Sequence, residues 1–219
     1  TPNWEDLQSF DKYDIIHFDP LHDIYRICVG ICLCYNMPIP ETYEEQCDLV
    51  KRVRDREANP ARKHHSVLEH SSMSVLFTCN RGVSHEIVRH RHTAYSQEST
   101  RYCNYSKDKF DNQVTFIHNS HFIGDTEGYE QWLNDMEHCE KEYLKLISQG
   151  YKPEEARDVL NNAVKTKILL TTNFREWRSI FNLRCDAHAH YQMREVMRPL
   201  FEEIKNALPC VFDDITFDN

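Results

Sequence analysis

The chain has 219 residues, of which 40% are hydrophobic and 28% are charged, an ordinary composition for a globular protein. Its formal net charge of −9 argues against a broad nucleic-acid surface, because nucleic-acid binding needs extended excess positive charge. No apolar run reaches the roughly 18 residues of a membrane span, and the start is too polar for a signal peptide, so we expect a soluble protein without a membrane partner. The nine cysteines form no Cys-x-x-Cys pair, which favours a reducing cytoplasm over a disulfide framework or a zinc ribbon.

The predicted elements begin after a segment, residues 1 to 26, that shows no clear period and receives no assignment. The apolar, cysteine-rich stretch Ile27 to Tyr35 is either a short buried strand or a helix. Thr42 and Glu45 form a capping-box pattern, which predicts a helix that runs to about Arg56.

The middle of the chain begins with a pattern that is typical of a strand. Residues Ser72 to Cys79 alternate between apolar and polar side chains. The apolar face consists of Met73, Val75, Phe77 and Cys79. Asn80 to Gly82 then predicts a turn, Val83 to Arg91 is compatible with a helix, and the polar stretch Thr93 to Arg101 is interpreted as a loop.

The next segment, Tyr102 to His118, indicates one or two strands joined around Asp111 and Asn112. The clearest helix runs from Glu127 to Gln149, where Gly150 ends it. Pro153 is expected to start another helix, because its missing amide hydrogen is not needed at that position.

The last third of the chain contains a short strand and two capped helices. The strand is predicted at Lys167 to Thr172. Asn173 with Glu176 caps a helix towards Leu183, and Asp186 is expected to cap another that runs past Pro199 to about Ala207. Strands and helices are mixed without regular alternation, so we predict an α+β fold with a mainly antiparallel sheet packed with helices. We expect a single domain over residues 1–219, because no repeat or low-complexity linker interrupts the chain.

Positive charge is concentrated in one stretch of this acidic chain. Between Arg81 and Arg101 lie four arginines and three histidines against two glutamates. The five glycines form neither a dinucleotide fingerprint nor a phosphate loop, so arginine side chains would have to hold any nucleotide phosphate. Taken alone, the stretch is as compatible with a solvated basic end of a helix as with a ligand-binding segment.

The stretch from Arg89 to Tyr102 reads Arg-His-Arg, seven residues, Ser, Thr, Arg and Tyr. This pattern resembles the signature of flavin-dependent thymidylate synthases. Upstream, His64 to His70 is similar to the family's histidine, spacer and Glu-His segment. Three downstream stretches resemble its remaining ligand-binding segments, and the resemblance covers about residues 28 to 200. These stretches are Glu155 to Arg157, Asn173 to Arg175 and Asn182 to His188.

The resemblance implies a flavin site and a nucleotide site. The residues implied to bind FAD are Ser66, Arg89, His90, Arg91, Gln97, Asn173, Arg175 and Ser179. The residues implied to bind the nucleotide are Glu86, Arg89, Gln97, Glu98, Ser99, Thr100, Arg101, Arg157 and Arg184. Among them, Arg184 is implied to be catalytic because it polarises the uracil ring. A permanent positive charge there would lower the pKa of the uracil imide and stabilise negative charge on the ring.

The activity that the resemblance implies is the methylation of dUMP to dTMP. The family takes the carbon from 5,10-methylenetetrahydrofolate and uses FAD to carry reducing equivalents from NADPH. The resemblance also implies the thymidylate synthase-complementing protein fold and a homotetramer with its ligand sites at subunit contacts. Small-molecule partners, dUMP and folate, are therefore expected, and no metal is.

Three positions depart from the commonest family pattern. Gln97 stands where many members have glutamate, and Glu98 follows one residue later. The charged contact to the flavin is therefore either replaced by the Gln97 amide or moved to Glu98. Ala94 replaces a frequent serine, and Glu86 falls where glutamine is common.

Two other classes of function use the same residues. A metal-dependent phosphohydrolase could use His85, His90 and His92, or Asp186, His188 and His190. Helical spacing argues against it, because residues two apart on a helix point in different directions. A regulatory nucleotide-binding or RNA-contacting module would use the arginines without turnover, but the overall negative charge argues against contact with a polyanion. Trp177 and Phe181 are expected to be core residues of an amphipathic helix that carries Arg184 at its edge.

Overall fold

The computed structural model describes residues 2–5, 12–55, 64–122 and 124–217. The β-strands are β1 (Asn3–Glu5), β2 (Tyr13–His17), β3 (Ser72–Asn80), β4 (Ala94–Gln97), β5 (Thr115–Ile117) and β6 (Lys165–Asn173). The α-helices are α1 (Pro20–Tyr35), α2 (Tyr43–Arg54), α3 (Arg81–Ile87), α4 (Thr126–Ser148), α5 (Pro153–Ala156), α6 (Phe174–Arg184), α7 (Tyr191–Ala207) and α8 (Pro209–Phe212). Short 3₁₀ helices cover His65–His70, Asp108–Phe110, Ser120–Phe122 and Arg157–Val159.

The predicted α+β class with a mainly antiparallel sheet is confirmed. Four strands form a sheet in the order β2-β3-β6-β4. The chain directions of β3 and β6 are opposite, because Ser74 bonds to Thr171 whereas the amide of Arg81, just after β3, bonds to the carbonyl of Val164. A separate parallel pair joins β1 to β5.

The described residues form two compact units. Unit 1 comprises Thr1–Lys12, Phe77–Arg89 and Ser96–Ile168, and unit 2 comprises Tyr13–Leu76, His90–Tyr95 and Leu169–Asn219. The expectation of a single domain stays a prediction.

The core of unit 1 forms where α4 covers the short strands. Val114, Phe116, Tyr143 and Val164 are fully buried together. The helix α4 begins at its N-cap Asp125, and the chain leaves it at Gly150 with a φ of 94°, a left-handed conformation that favours glycine. The predicted helix is therefore confirmed, with each end one residue earlier than expected, as is the helix that begins at Pro153.

The core of unit 2 is helical. The inner face of α1 packs against α2 and carries Ile24 and Ile27, which are fully buried. Trp177 and Phe181 of α6 are also fully buried, as predicted, and the Trp177 indole donates a hydrogen bond to the carbonyl of Met73 at 3.1 Å. This bond fixes the rotation of α6, and hence the direction in which its polar face points.

Local capping signals predicted the starts of α2 and α6 correctly. Thr42 and Glu45 form the predicted capping box of α2, and the Asn173 side chain accepts from the amide of Glu176 at the start of α6. The alternation over Ser72 to Cys79 is confirmed as β3, whose apolar face is buried.

Several other predictions were wrong. The expected turn at Asn80 to Gly82 is the start of α3, because the Asn80 side chain caps that helix through the amide of Val83. The expected loop at Thr93 to Arg101 contains β4, which pairs with β6. Within Tyr102 to His118 the only strand that the structure describes is β5.

Three helix boundaries also differ from the prediction. The stretch Ile27 to Tyr35 is the second part of α1 and not a strand. The helix α2 ends at Arg54, and Arg56 lies outside the described residues. Asp186 does not cap α7, which begins at Tyr191, because its carboxylate instead accepts from the backbone and imidazole of His188 at 2.9 and 2.8 Å.

Within the described ranges no helix is long and apolar enough to span a membrane. All nine cysteines are free thiols, and six of them are buried.

Candidate functional site

Three of the residues predicted to bind FAD line one cavity of unit 2. Asn173, Arg175 and Ser179 lie at the start of α6 and along its first turns. The cavity has a volume of about 530 Å³ and also includes His65 and His92. It is polar, and its lining includes Asn173 and Arg175 at the positive end of the α6 dipole, where anionic groups are stabilised.

Arg175 supplies a guanidinium that an anionic ligand could recruit. Its Nη1 lies 2.6 Å from Oε1 of Glu69, but both side chains are about half exposed. An exposed ion pair of this kind contributes little to stability, so the guanidinium can exchange Glu69 for a phosphate oxygen at small cost. Asn173 is less adaptable, because its side-chain oxygen already caps α6.

The Arg-His-Arg stretch is fixed by hydroxyl groups rather than by regular secondary structure. The carbonyl of His90 accepts from the Tyr95 hydroxyl at 2.9 Å, and that of Arg91 accepts from the Thr93 hydroxyl at 3.1 Å. The carbonyl of His92 accepts from the Thr172 hydroxyl at 2.9 Å. His92 has a φ of 59°, a left-handed conformation that surrounding contacts must stabilise in a residue other than glycine.

His90 connects the signature to the predicted catalytic arginine within unit 2. Its Nε2 accepts from Nε of Arg184 at 3.0 Å, and its Nδ1 lies 3.3 Å from Oε1 of Glu176. Burial and the nearby Arg184 cation lower the pKa of His90 from 6.5 to about 4. Although the distance to Glu176 is that of an ion pair, the low pKa and the Arg184 contact both require a neutral imidazole at physiological pH.

Gln97, predicted for both ligands, is fixed inside unit 1. Its side-chain nitrogen donates to the hydroxyls of Ser84 at 2.8 Å and Thr166 at 3.2 Å. Glu98 extends the pairing of β4 with β6, because its carboxylate accepts from the amide of Lys167 at 3.0 Å. The Glu98 carboxylate is therefore bonded to the backbone of β6. The Gln97 side chain is instead held by the hydroxyls of Ser84 and Thr166, which bond to its nitrogen and not to its oxygen.

Two segments predicted to bind the nucleotide meet in unit 1. Nη1 of Arg157 donates to the hydroxyl of Thr100 at 3.3 Å, and Nη2 of Arg101 lies 3.5 Å from Glu154. Thr100 is buried, whereas Arg101 is exposed. Residues 100–101 and 154–157 therefore face each other and present two guanidinium groups on adjacent segments.

The remaining predicted residues lie outside these contacts. Ser66, Arg89 and Arg91 are exposed, and Glu86 is half-buried in α3. The hydroxyl of Ser99 accepts from the amide of Arg101 at 3.3 Å.

A larger concavity of unit 2, about 1170 Å³, carries none of the predicted residues. Its charged lining consists of Glu41, Glu45, Asp48, Asp55, Lys51 and Arg52. Carboxylates outnumber cations there, so an anionic cofactor is better matched by the smaller cavity beside Arg175. In the part of the chain that the structure describes, no group of three His, Cys, Asp or Glu side chains is arranged to hold a metal ion.

Comparison with known proteins assigns the chain to a family. A family model described as thymidylate synthase complementing protein matches residues 26–210, which include every predicted ligand residue. The chain belongs to this family. The predicted resemblance is therefore confirmed at the level of the family.

Several proteins named flavin-dependent thymidylate synthase resemble this chain over much of its length. The flavin-dependent thymidylate synthase of Pyrococcus furiosus is 36% identical over 142 residues, or 64% of this chain and 57% of that protein. That of Geobacter sulfurreducens is 36% identical over 153 residues, or 69% of this chain and 64% of that protein. That of Corynebacterium efficiens is 31% identical over 161 residues, or 69% of this chain and 64% of that protein. The chain thus spans less than two thirds of the length of these relatives.

Several residues around the signature of this family member were not predicted as site residues. The sequence pattern identifies Glu176 only as the capping partner of Asn173. Tyr95 and Thr172 orient the signature backbone through their hydroxyls, and no local pattern identifies such contacts. The available signal was the density of hydroxyl residues after Arg91, which is unusual for a solvated helix end.

Proposed function

We propose that this chain is a flavin-dependent thymidylate synthase, the activity named for the relatives above. It methylates dUMP to dTMP in the cytoplasm, with FAD as the flavin, NADPH as the reductant and 5,10-methylenetetrahydrofolate as the carbon donor. The observation that carries the proposal is the 3.0 Å hydrogen bond from Arg184 to His90. It joins the residue expected to polarise uracil to the motif expected to bind flavin.

The polar cavity of unit 2 fits the anionic part of the cofactor. Its donors include the Arg175 guanidinium, in the first turn of α6 at the positive end of the helix dipole, and the Ser179 hydroxyl in the middle of the helix. When bound, FAD would carry the hydride between NADPH and the transferred one-carbon unit. The resemblance also assigns to FAD a further set of residues, namely Ser66, Arg89, His90, Arg91, Gln97 and Asn173.

The two guanidinium groups of unit 1 fit a nucleotide phosphate. Arg101 is only loosely paired with Glu154, at 3.5 Å and with both side chains exposed, so its charge is available to a dianion. Arg157 approaches through Thr100. The neighbouring Ser99 and Glu98, with Glu86 and Arg89, complete the proposed nucleotide contacts.

In the proposed reaction Arg184 stabilises negative charge that develops on the uracil ring. A guanidinium is suited to this role because it stays charged at any physiological pH and offers several donors in a fixed plane. The proposed assembly is a homotetramer with ligand sites at subunit contacts, as in the family that the sequence resembles.

The proposal predicts that the purified protein, supplied with FAD, NADPH and methylenetetrahydrofolate, converts dUMP to dTMP and shows a visible flavin absorption band. Arg184→Ala should abolish conversion and leave the flavin band, because Arg184 is assigned to the pyrimidine. Arg52→Ala, which removes an exposed arginine of α2, is the matched control and should keep full activity. Unchanged turnover in Arg184→Ala, or wild-type protein without a flavin band, contradicts the assignment.

A further inference from the structure

His90 lies between two groups of opposite charge in unit 2. Arg184 approaches one ring nitrogen, Nε2, at 3.0 Å, and Glu176 approaches the other, Nδ1, at 3.3 Å. The His90 side chain is 6% exposed, so water has little access to replace either partner.

The identity of the partners decides where the imidazole proton must lie. Nε of Arg184 is always a donor, so the ring nitrogen that faces it must present a lone pair. A neutral imidazole with its lone pair on Nε2 carries its hydrogen on Nδ1, and the acceptor opposite Nδ1 is the carboxylate of Glu176. The opposite tautomer would place two N–H donors against each other at the Arg184 contact.

We propose that Glu176 is a positioning residue that holds His90 in the Nδ1–H tautomer, so that Nε2 orients the Arg184 guanidinium. This inference rests on the proposed function, because it matters to the reaction only if Arg184 acts on the pyrimidine. Glu176 also lines the proposed flavin cavity, but in the role proposed here it acts on Arg184 through His90.

Neighbouring hydrogen bonds fix the positions of Glu176 and His90 relative to Arg184. The amide of Glu176 is bonded to the Asn173 side chain at 2.9 Å, which fixes the first turn of α6. The Tyr95 hydroxyl holds the carbonyl of His90 at 2.9 Å. Burial raises the pKa of Glu176 above its ordinary value, and the Arg175 guanidinium offsets only part of this rise. Low pKa at His90 is consistent with a neutral ring throughout the range in which Glu176 is ionised.

Kinetics should separate positioning from a merely structural role. Glu176→Leu removes the acceptor, so we expect kcat to fall roughly 10- to 100-fold, the range for a misplaced reacting group, with a smaller change in KM for dUMP. Glu176→Gln should recover part of the loss, because its amide oxygen can accept from Nδ1–H. Glu44→Leu makes the same substitution at an exposed glutamate in the first turn of α2 and is the matched control. Equal kcat in Glu176→Leu and wild type would overturn the proposal.

The direct test is the ¹⁵N spectrum of His90 in protein labelled at histidine, which reports the tautomer without any turnover. We expect the Nδ1–H form in the wild type and in Glu44→Leu, and its loss in Glu176→Leu. Arg184→Leu should retain the Nδ1–H form, because Glu176 and not Arg184 is proposed to set it. A wild-type Nε2–H form, or loss of the Nδ1–H form in Arg184→Leu, would overturn the inference. That second variant decides the question even if Glu176→Leu does not fold. Protein that shows the expected tautomers but forms no dTMP would instead contradict the proposed function.

Discussion

His90 carries a pH dependence that follows from its burial. The group has a pKa of about 4 in the folded chain and about 6.5 when unfolded, so between these values the unfolded state binds more protons. Stability is complete above the unfolded value and decreases as the pH falls towards about 4. The groups that face the ring are Glu176 and Arg184, and the Arg184 cation acts in the same direction as burial.

We therefore expect the wild type to lose roughly 3 kcal/mol more unfolding free energy than His90→Gln between neutral pH and about pH 4. Chemical denaturation at a series of pH values measures this difference. His138→Gln, which removes an exposed histidine of α4, should retain the wild-type slope. Parallel stability curves for the wild type and His90→Gln would contradict the assigned pKa.

For single residues, the sequence predicted which side chains are buried better than it predicted which side chains contact each other. Trp177 and Phe181 follow from helical spacing alone, and both are fully buried. The approach of Glu176 to His90 joins residues 86 positions apart, so it depends on how α6 packs and not on any local pattern. Thr172 meets His92 for the same reason, through the pairing of strands distant in sequence.

At the scale of elements, Asn173 both caps α6 and lines the proposed flavin cavity. Asn173→Ala should lower the unfolding free energy by about 1 kcal/mol and also weaken FAD binding. Thr42→Ala removes an equivalent cap from α2 and should lower stability by a similar amount without affecting FAD. Thermal denaturation and fluorescence titration with FAD measure the two effects. Equal FAD affinity in both variants would show that position 173 serves the helix alone.

Elements with local signals were predicted, and those that depend on distant partners were not. The caps at Thr42 and Asn173 involve residues three apart, so the sequence states them directly. The strands β4 and β5 have four and three residues, too few for a clear alternation, and are defined by their bonding partners. Asn80 was interpreted as a turn residue because the residue types that cap helices also favour turns.

For the whole molecule, the reactivity of the nine thiols reports how many of them solvent reaches. Cys34 is exposed, Cys47 and Cys103 are partly buried, and the other six are buried. Burial raises the pKa of Cys79 and Cys185 to about 12, so these thiols stay protonated and unreactive. A chromogenic disulfide reagent should label Cys34 first in the native protein and all nine thiols in denaturant.

Cys34→Ser should remove the fast phase of this labelling and leave the total in denaturant one lower. Cys210→Ser is the control and should leave the fast phase intact, since that thiol is buried. A fast phase that survives in Cys34→Ser would mean that another thiol, with Cys47 and Cys103 the first to test, reaches solvent as readily as Cys34.

The fold class followed from the irregular order of strands and helices, which disfavours a doubly wound sheet. The family followed from ordered motifs between residues 64 and 188, and the match over residues 26–210 confirms it. The proximity of residues 100–101 to 154–157 was implied only by the resemblance, since nothing in either segment alone specifies the other.

The hydroxyls that secure the three carbonyls from His90 to His92 have a consequence for directed evolution. Loss of one such bond removes only about 1 kcal/mol, a change that a heat challenge of a variant library hardly detects. Variants that lack the hydroxyl of Tyr95, Thr93 or Thr172 would therefore survive selection for thermal tolerance. In these variants the backbone from His90 to His92, beside the proposed flavin cavity, would no longer be held in place. Selection of this protein for heat tolerance therefore needs a second screen, which measures binding of the proposed FAD cofactor.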